Sequence, residues 1–129
     1  MTPATKLAKK KPKSAVRAKK PLAFHGKTND GKNHVVGIGN LRAVIVQDNA
    51  HWFAQGLEID YAAEGSSLDD VKKQFEDGLL ATVEQHLKTY GGIEHLLCVA
   101  PSEAWAPLLK DPEAYRGFLH SAVSTRVCA

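Results

Sequence analysis

Between Ser67 and Gly91 the chain specifies one helix with both ends marked, and this segment limits the fold more than any other. Leu68, Val71, Phe75, Leu79, Val83, Leu87 and Tyr90 recur at spacings of three and four, lining one face through about six turns. Ser67 stands at the N-cap and Asp69 and Asp70 occupy the positive end of the helix dipole. Asp70, three residues after the cap, forms a variant capping box. Gly91-Gly92 supplies a left-handed stop. Lys72, Lys73, Glu76, Asp77, Glu84 and Lys88 are left for water. A helix with a single apolar stripe must lay it against another layer. Gly78 costs about 1 kcal/mol against Ala at mid-helix, which points either to a close approach of the backbone to that layer or, equally, to a tolerated weak spot.

The other layer is written just upstream. Leu41-Arg42-Ala43-Val44-Ile45-Val46-Gln47 is a β-branched run, and in Trp52 to Ile59 the residues Phe53, Leu57 and Ile59 fall on one face. Asp48-Asn49-Ala50-His51 between them is short and rich in turn formers, so the pair reads as a β-hairpin. Asp60 to Gly65 makes a shorter third strand. Ile93 to Ala100 fits a last strand or a helical turn equally, and Pro101 closes it. Ser102 caps a short helix with Trp105, Leu108 and Leu109, and Asp111-Pro112-Glu113 opens another with Tyr115, Phe118 and Leu119. The fold class expected is α+β: a three- to four-stranded antiparallel-type sheet, one long amphipathic helix packed on it, and short C-terminal helices. The domains expected are an arm and linker at 1–34, the α+β body at 35–100 and a helical extension at 101–129.

Charge separates the arm from the body. Residues 1–34 hold ten Lys and Arg against one acid, a balance of +9, and 35–129 hold seven against thirteen, a balance of −6; the total of +3 hides both. Met1 to Pro21 has little apolar surface and many like charges, which predicts disorder, and the polar run from Phe24 to Asn33 reads as a linker. Lys6, Lys9, Lys10, Lys11, Lys13, Arg17, Lys19 and Lys20 are candidates for salt-sensitive, non-specific contact with DNA or RNA phosphates. No aromatic lies among them to stack on a base. The absence of a long apolar run and of a secretory h-region predicts a cytoplasmic protein without membrane contact. Cys98 and Cys128 are expected to be reduced thiols.

Catalytic and cofactor chemistry find no pattern. Two-metal nuclease chemistry needs converging carboxylates, but Asp48 belongs to a turn, Asp60 to a strand boundary and Asp69 to a helix cap, with Glu58 the fourth acid of the region. His95, Cys98, His120 and Cys128 match no zinc-ligand spacing. No P-loop, GxGxxG or GxSxG occurs. The expectation is a chain that is not an enzyme, with no catalytic residues, no metal and no cofactor. A sheet covered on one face leaves a face and edges open, which predicts a protein partner or a second copy. Asp48, Trp52, Glu58, Asp60 and Trp105 are the candidate contacts, although core packing is the first role expected of the large aromatics.

The segment VIVQDNAHWFAQGLEIDYAAEGSSLDDVKKQFEDGLLATVEQHL, Val44 to Leu87, about a third of the chain, resembles the HicB-like antitoxins. They share a strand ending in an acidic-polar turn, an aromatic near the start of the next strand, a Gly before the helix and a Ser-Leu-Asp-Asp type of helix opening. The resemblance implies a partial ribonuclease-H-like β-β-β-α-β fold without nuclease activity. It also implies a role as antitoxin, or as an orphan binding module, that masks the RNA-binding surface of a small basic HicA-like toxin. The alternative is a non-specific nucleic-acid-associated protein that uses the Lys-rich arm. The resemblance also implies a C-terminal DNA-binding module for repression of the operon, but residues 101–129 depart from it, carrying only Lys110, Arg116 and Arg126 and no basic recognition helix, so operator binding stays open.

Overall fold

The computed structural model describes residues 17–128, without the side chain of Cys128. Lys6, Lys9, Lys10, Lys11 and Lys13 therefore lie outside the described residues. The elements run β1 (Leu22–Lys27), β2 (Asn33–Asp48), β3 (His51–Gly56), β4 (Ala62–Gly65), α1 (Leu68–Tyr90), α2 (Ser102–Leu109) and β5 (Tyr115–Cys128). The fold is α+β, with one antiparallel five-stranded sheet and two helices, one of them long. Among the described residues no helix is long and apolar enough to cross a membrane.

The sixteen-residue β2 organises the sheet. β5 pairs with it from Asn33 to Val46, and β1 and β3 share its other edge, β1 opposite His34–Gly39 and β3 opposite Ala43–Asp48. β4 extends the sheet from β3. Between Ile38 and Leu41 the register with β5 slips by one residue, and Asn40 there takes a left-handed φ of 57°. An extra residue in one strand exchanges its two faces. Val36 and Ile38 before the bulge, and Leu41, Ala43 and Ile45 after it, therefore all enter the same core.

That core lies between the sheet and α1, whose Val71, Phe75, Leu79, Val83 and Leu87 are buried. Both predicted ends of α1 are present. Ser67 Oγ accepts from the Asp70 N–H, Asp70 accepts from the Ser66 N–H at 2.8 Å, and Gly91 sits at φ 73° with its N–H donating to the Leu87 carbonyl. The Ser66 N–H, with the Gln74 amide and the Ser66 hydroxyl, holds the Asp70 carboxyl below the usual range. The second face of the sheet carries a smaller core of Val44, Val46, Leu57, Ala100 and Trp105 under α2.

Several expectations give way to the structure. The sheet has five strands, not three or four, and begins at Leu22, within the stretch read as arm and linker. The Asn-Asp-Gly turn chemistry instead closes the β1–β2 hairpin, with Gly31 at φ 73° and the Lys32 N–H donating to Asp30 at 3.0 Å. β3 stops at Gly56, and Leu57 and Ile59 go to opposite cores instead of one face. Gly56 admits this detour because a Cβ there would stand 2.4 Å from the Ile59 carbonyl oxygen, while its N–H donates to the Tyr61 carbonyl. Ile93–Ala100 is a turn that buries Ile93 and Leu96. Of the short C-terminal helices only the first exists. Tyr115–Cys128 is strand β5, so this part of the expected extension completes the sheet instead of lying beside it.

Candidate functional site

The face of the sheet turned away from α1 is covered only in part, and its open ends differ in charge. Trp105 anchors α2 there: it is 8 % exposed and packs with Val44, Val46 and Leu57. Its indole N–H is buried and finds no acceptor among the described residues. α2 and the turn after it stop short of the outer strands. The result is a groove of about 800 Å³ with Val46, Phe53, Ala54, Leu108 and Ala114 among its apolar lining and Asp48, Glu64 and Asp111 around it. Asp111 is held in place by the N–H groups of Glu113 and Ala114, at 3.1 and 3.3 Å. Asp48 ends β2 and Glu64 lies on β4 opposite Phe53. No basic side chain lines this groove.

Further along the same face lies a second cleft, of about 410 Å³, lined by Arg17, Lys19, Lys20, Leu22, Asn40, Arg42, Glu58 and His120. Its single acid is already engaged. Glu58 Oε1 accepts from the Arg42 backbone N–H at 2.7 Å, and Oε2 accepts from Arg42 Nε at 3.0 Å and Nη2 at 2.8 Å. The guanidinium also lies 5.9 Å from the centre of the Phe118 ring and donates to the Arg17 carbonyl. The cleft is left with a cationic rim.

Of the candidate partner contacts, Asp48 lines the acidic groove and Asp60 is nearby and exposed, accepting from Gln55 Nε2 at 3.3 Å. Trp52 is half-buried and packs against the α1 core, Glu58 is buried with Arg42, and Trp105 is buried under α2. Arg17, Lys19 and Lys20 come together at the basic cleft. The structure adds Glu64, Asp111 and Arg42. Asp111 carried a signal as the acid before Pro112, but as a cap; Glu64 and Arg42 had none beyond their charge.

Asp69 is exposed in the first turn of α1. His95 stacks on Tyr90 at 4.0 Å between ring centres and Cys98 is an exposed thiol on the same turn, whereas His120 stands on β5 in the basic cleft. His25 and His34 are stacked with ring nitrogens 2.9 Å apart, one donating to the other. Among the described residues no three His, Cys, Asp or Glu side chains are grouped to hold a metal ion. Compared with protein-family models, with curated proteins and with solved structures, the chain matches none.

Proposed function

We propose that this chain is a protein-binding module of the HicB-like antitoxin type, and that its acid-rimmed groove receives a basic, amphipathic element of the partner. The observation that carries the reading is the groove itself: an apolar floor large enough for several side chains, ringed by Asp48, Glu64 and Asp111 with no basic residue in its lining. Apolar burial supplies affinity, and the carboxylates select a cationic partner and speed its approach. A small RNA-binding toxin has such a surface, and filling it excludes RNA. The partial ribonuclease-H-like fold belongs to the same reading. β2, β3, β4 and α1 follow the order of strands and helix that the resemblance implies, with β1 and α2 as additions. Among the described residues the outer edges of β4 and β5 pair with no further strand, which offers a second copy a place to pair.

The test is to identify the reading frames adjoining that of this chain, co-express any that encodes a small basic protein, and follow growth rescue and co-purification. Rescue is expected, and Asp48→Lys with Glu64→Lys should abolish it while leaving the thermal unfolding midpoint within a few degrees. Failure of the unaltered chain to rescue sinks the antitoxin reading. Rescue that survives the double charge reversal sinks the groove.

A further inference from the structure

The sheet face opposite α1 has a third region, beyond the basic cleft, that no helix among the described residues covers. In antiparallel strands, residues directly opposite one another share a face, so Gly26, Val35 and Arg126 form one row and Phe24, Gly37 and Ser124 the next. Leu22 and Gly39 form a third row. These rows face away from the buried Val36 and Ile38. Leu22 is 66 % exposed, Phe24 62 % and Val35 39 %, so three large apolar groups stand together in water. The Phe24 ring leans over Gly26, its tip 3.0 Å from where a Cβ would be, and among the described residues nothing lies within 4 Å of the Cβ positions of Gly37 and Gly39. The platform is therefore a bare backbone floor with one exposed aromatic ring. Leu22 also lines the basic cleft, so Arg17, Lys19 and Lys20 continue one end of the platform and Arg126 borders the other.

We propose that this platform binds single-stranded RNA, with an unpaired base stacked on Phe24 and the phosphate chain running toward Arg17, Lys19 and Lys20. Each part of the surface matches one part of such a strand. An exposed ring on an open sheet gives a base a π-face to stack on, a glycine floor lets the base approach the backbone, and lysines and arginines at both ends neutralise phosphates. The Ser124 hydroxyl, across Gly37 from Phe24, offers a donor and acceptor to a ribose 2′-hydroxyl. A duplex keeps its bases stacked on each other and cannot use the ring; unpaired bases on a phosphate chain are, in cells, chiefly RNA. A second copy fits poorly, because a two-fold contact through this face would bring Arg126 and the cationic cleft of one chain against their equivalents in the other. The inference is independent of the acidic groove and adds the aromatic that the N-terminal lysines lack.

Fluorescence anisotropy of the full chain with labelled oligo-uridine, oligo-adenosine, oligo-deoxythymidine and duplex RNA of about 12 residues, over a range of salt concentrations, tests it. Single-stranded RNA should bind more tightly than DNA or duplex. Phe24→Leu should weaken RNA binding about tenfold at every salt concentration without changing the slope against log salt, since stacking releases no counterion. Arg17→Gln, Lys19→Gln and Lys20→Gln together should flatten that slope. Phe24 is exposed, so its leucine variant should keep the unaltered melting curve. Equal binding by Phe24→Leu, tighter binding of duplex or DNA, or no binding overturns the platform; an acidic protein captured there in place of RNA overturns it as well.

Discussion

Tyr61 and Gly78 form one packing unit although neither predicts the other. A Cβ on Gly78 would stand 1.8 Å from the Tyr61 hydroxyl oxygen, and the ring meets Phe75 edge-on with centres 5.3 Å apart. The glycine signals a close approach in the sequence, but the neighbour is a tyrosine from the β3–β4 connection, not the sheet backbone. Gly78→Ala gains helix propensity of about 1 kcal/mol and meets that oxygen. The net effect expected in urea denaturation is a loss of about 1–3 kcal/mol, and adding Tyr61→Phe should recover most of it. Burial pushes the Tyr61 phenol above its ordinary 10.0. Its folded-state pKa is raised, so its contribution is complete below the unfolded value and is lost as pH rises through the folded one. Above pH 10 the unaltered chain should lose stability relative to Tyr61→Phe. Glu58 shows the opposite outcome for a sequence inference: an acid proposed for a partner surface is an internal counter-charge, with a side chain 4 % exposed. Glu58→Ala takes from Arg42 the carboxylate that accepts from its backbone N–H, Nε and Nη2, and breaking this buried pair is expected to cost about 3–5 kcal/mol. Glu58→Gln keeps an acceptor and should cost less, and chemical denaturation separates the two variants.

At the scale of elements, legibility follows whether the pattern has a period of its own. α1 was readable to within its caps because its stripe, its N-cap and its C-terminal glycine agree. β5 was not, for a definite reason. Its buried residues Leu119, Val123 and Val127 are four apart, a spacing that fits a helical face as well as alternate inward positions of a strand. Gly117, at φ 122°, and the register shift beside it further break the alternation. β1 has no buried stripe at all, only exposed and half-buried positions, so its strand conformation comes from pairing with β2. The Asn40 bulge is equally silent in sequence, yet it decides which residues of β2 face α1. Asn tolerates the left-handed region better than most residues. Asn40→Gly should stay within a few tenths of a kcal/mol of the unaltered chain, and Asn40→Val should destabilise it by about 1–2 kcal/mol in the same denaturation measurement.

The whole molecule is closed by its C-terminal strand. β2 and β5 residues that pair are between 69 and 95 positions apart (115 − 46 and 128 − 33), so the sheet forms only after a long loop is closed, and millisecond-to-second folding is expected. Taken as an extension, residues 101–129 would be dispensable. As a strand along the whole of β2, carrying Leu119, Val123 and Val127 into the main core, they are not. A chain ending after Lys110 should show no cooperative thermal unfolding by circular dichroism; a sharp melt near that of the full chain would refute the architecture. The candidate surfaces divide in the same way. The cationic and acidic segments were visible in the sequence, because charge is a property of composition. That Asp48, Glu64 and Asp111 surround one groove, and that Phe24 joins Arg126 and the cleft of Arg17, Lys19 and Lys20 on one open face, was not, because each set draws on strands distant in the chain. Periodicity, turn chemistry and composition are local properties, and they suffice to specify α1, the β2–β3 hairpin and the separation of charge. That residues 22–27 and 115–128 are strands, and which side chains share a face, emerges from the folded chain alone, because strand pairing is a non-local interaction and register, once shifted by a single bulge, reverses every side chain beyond it.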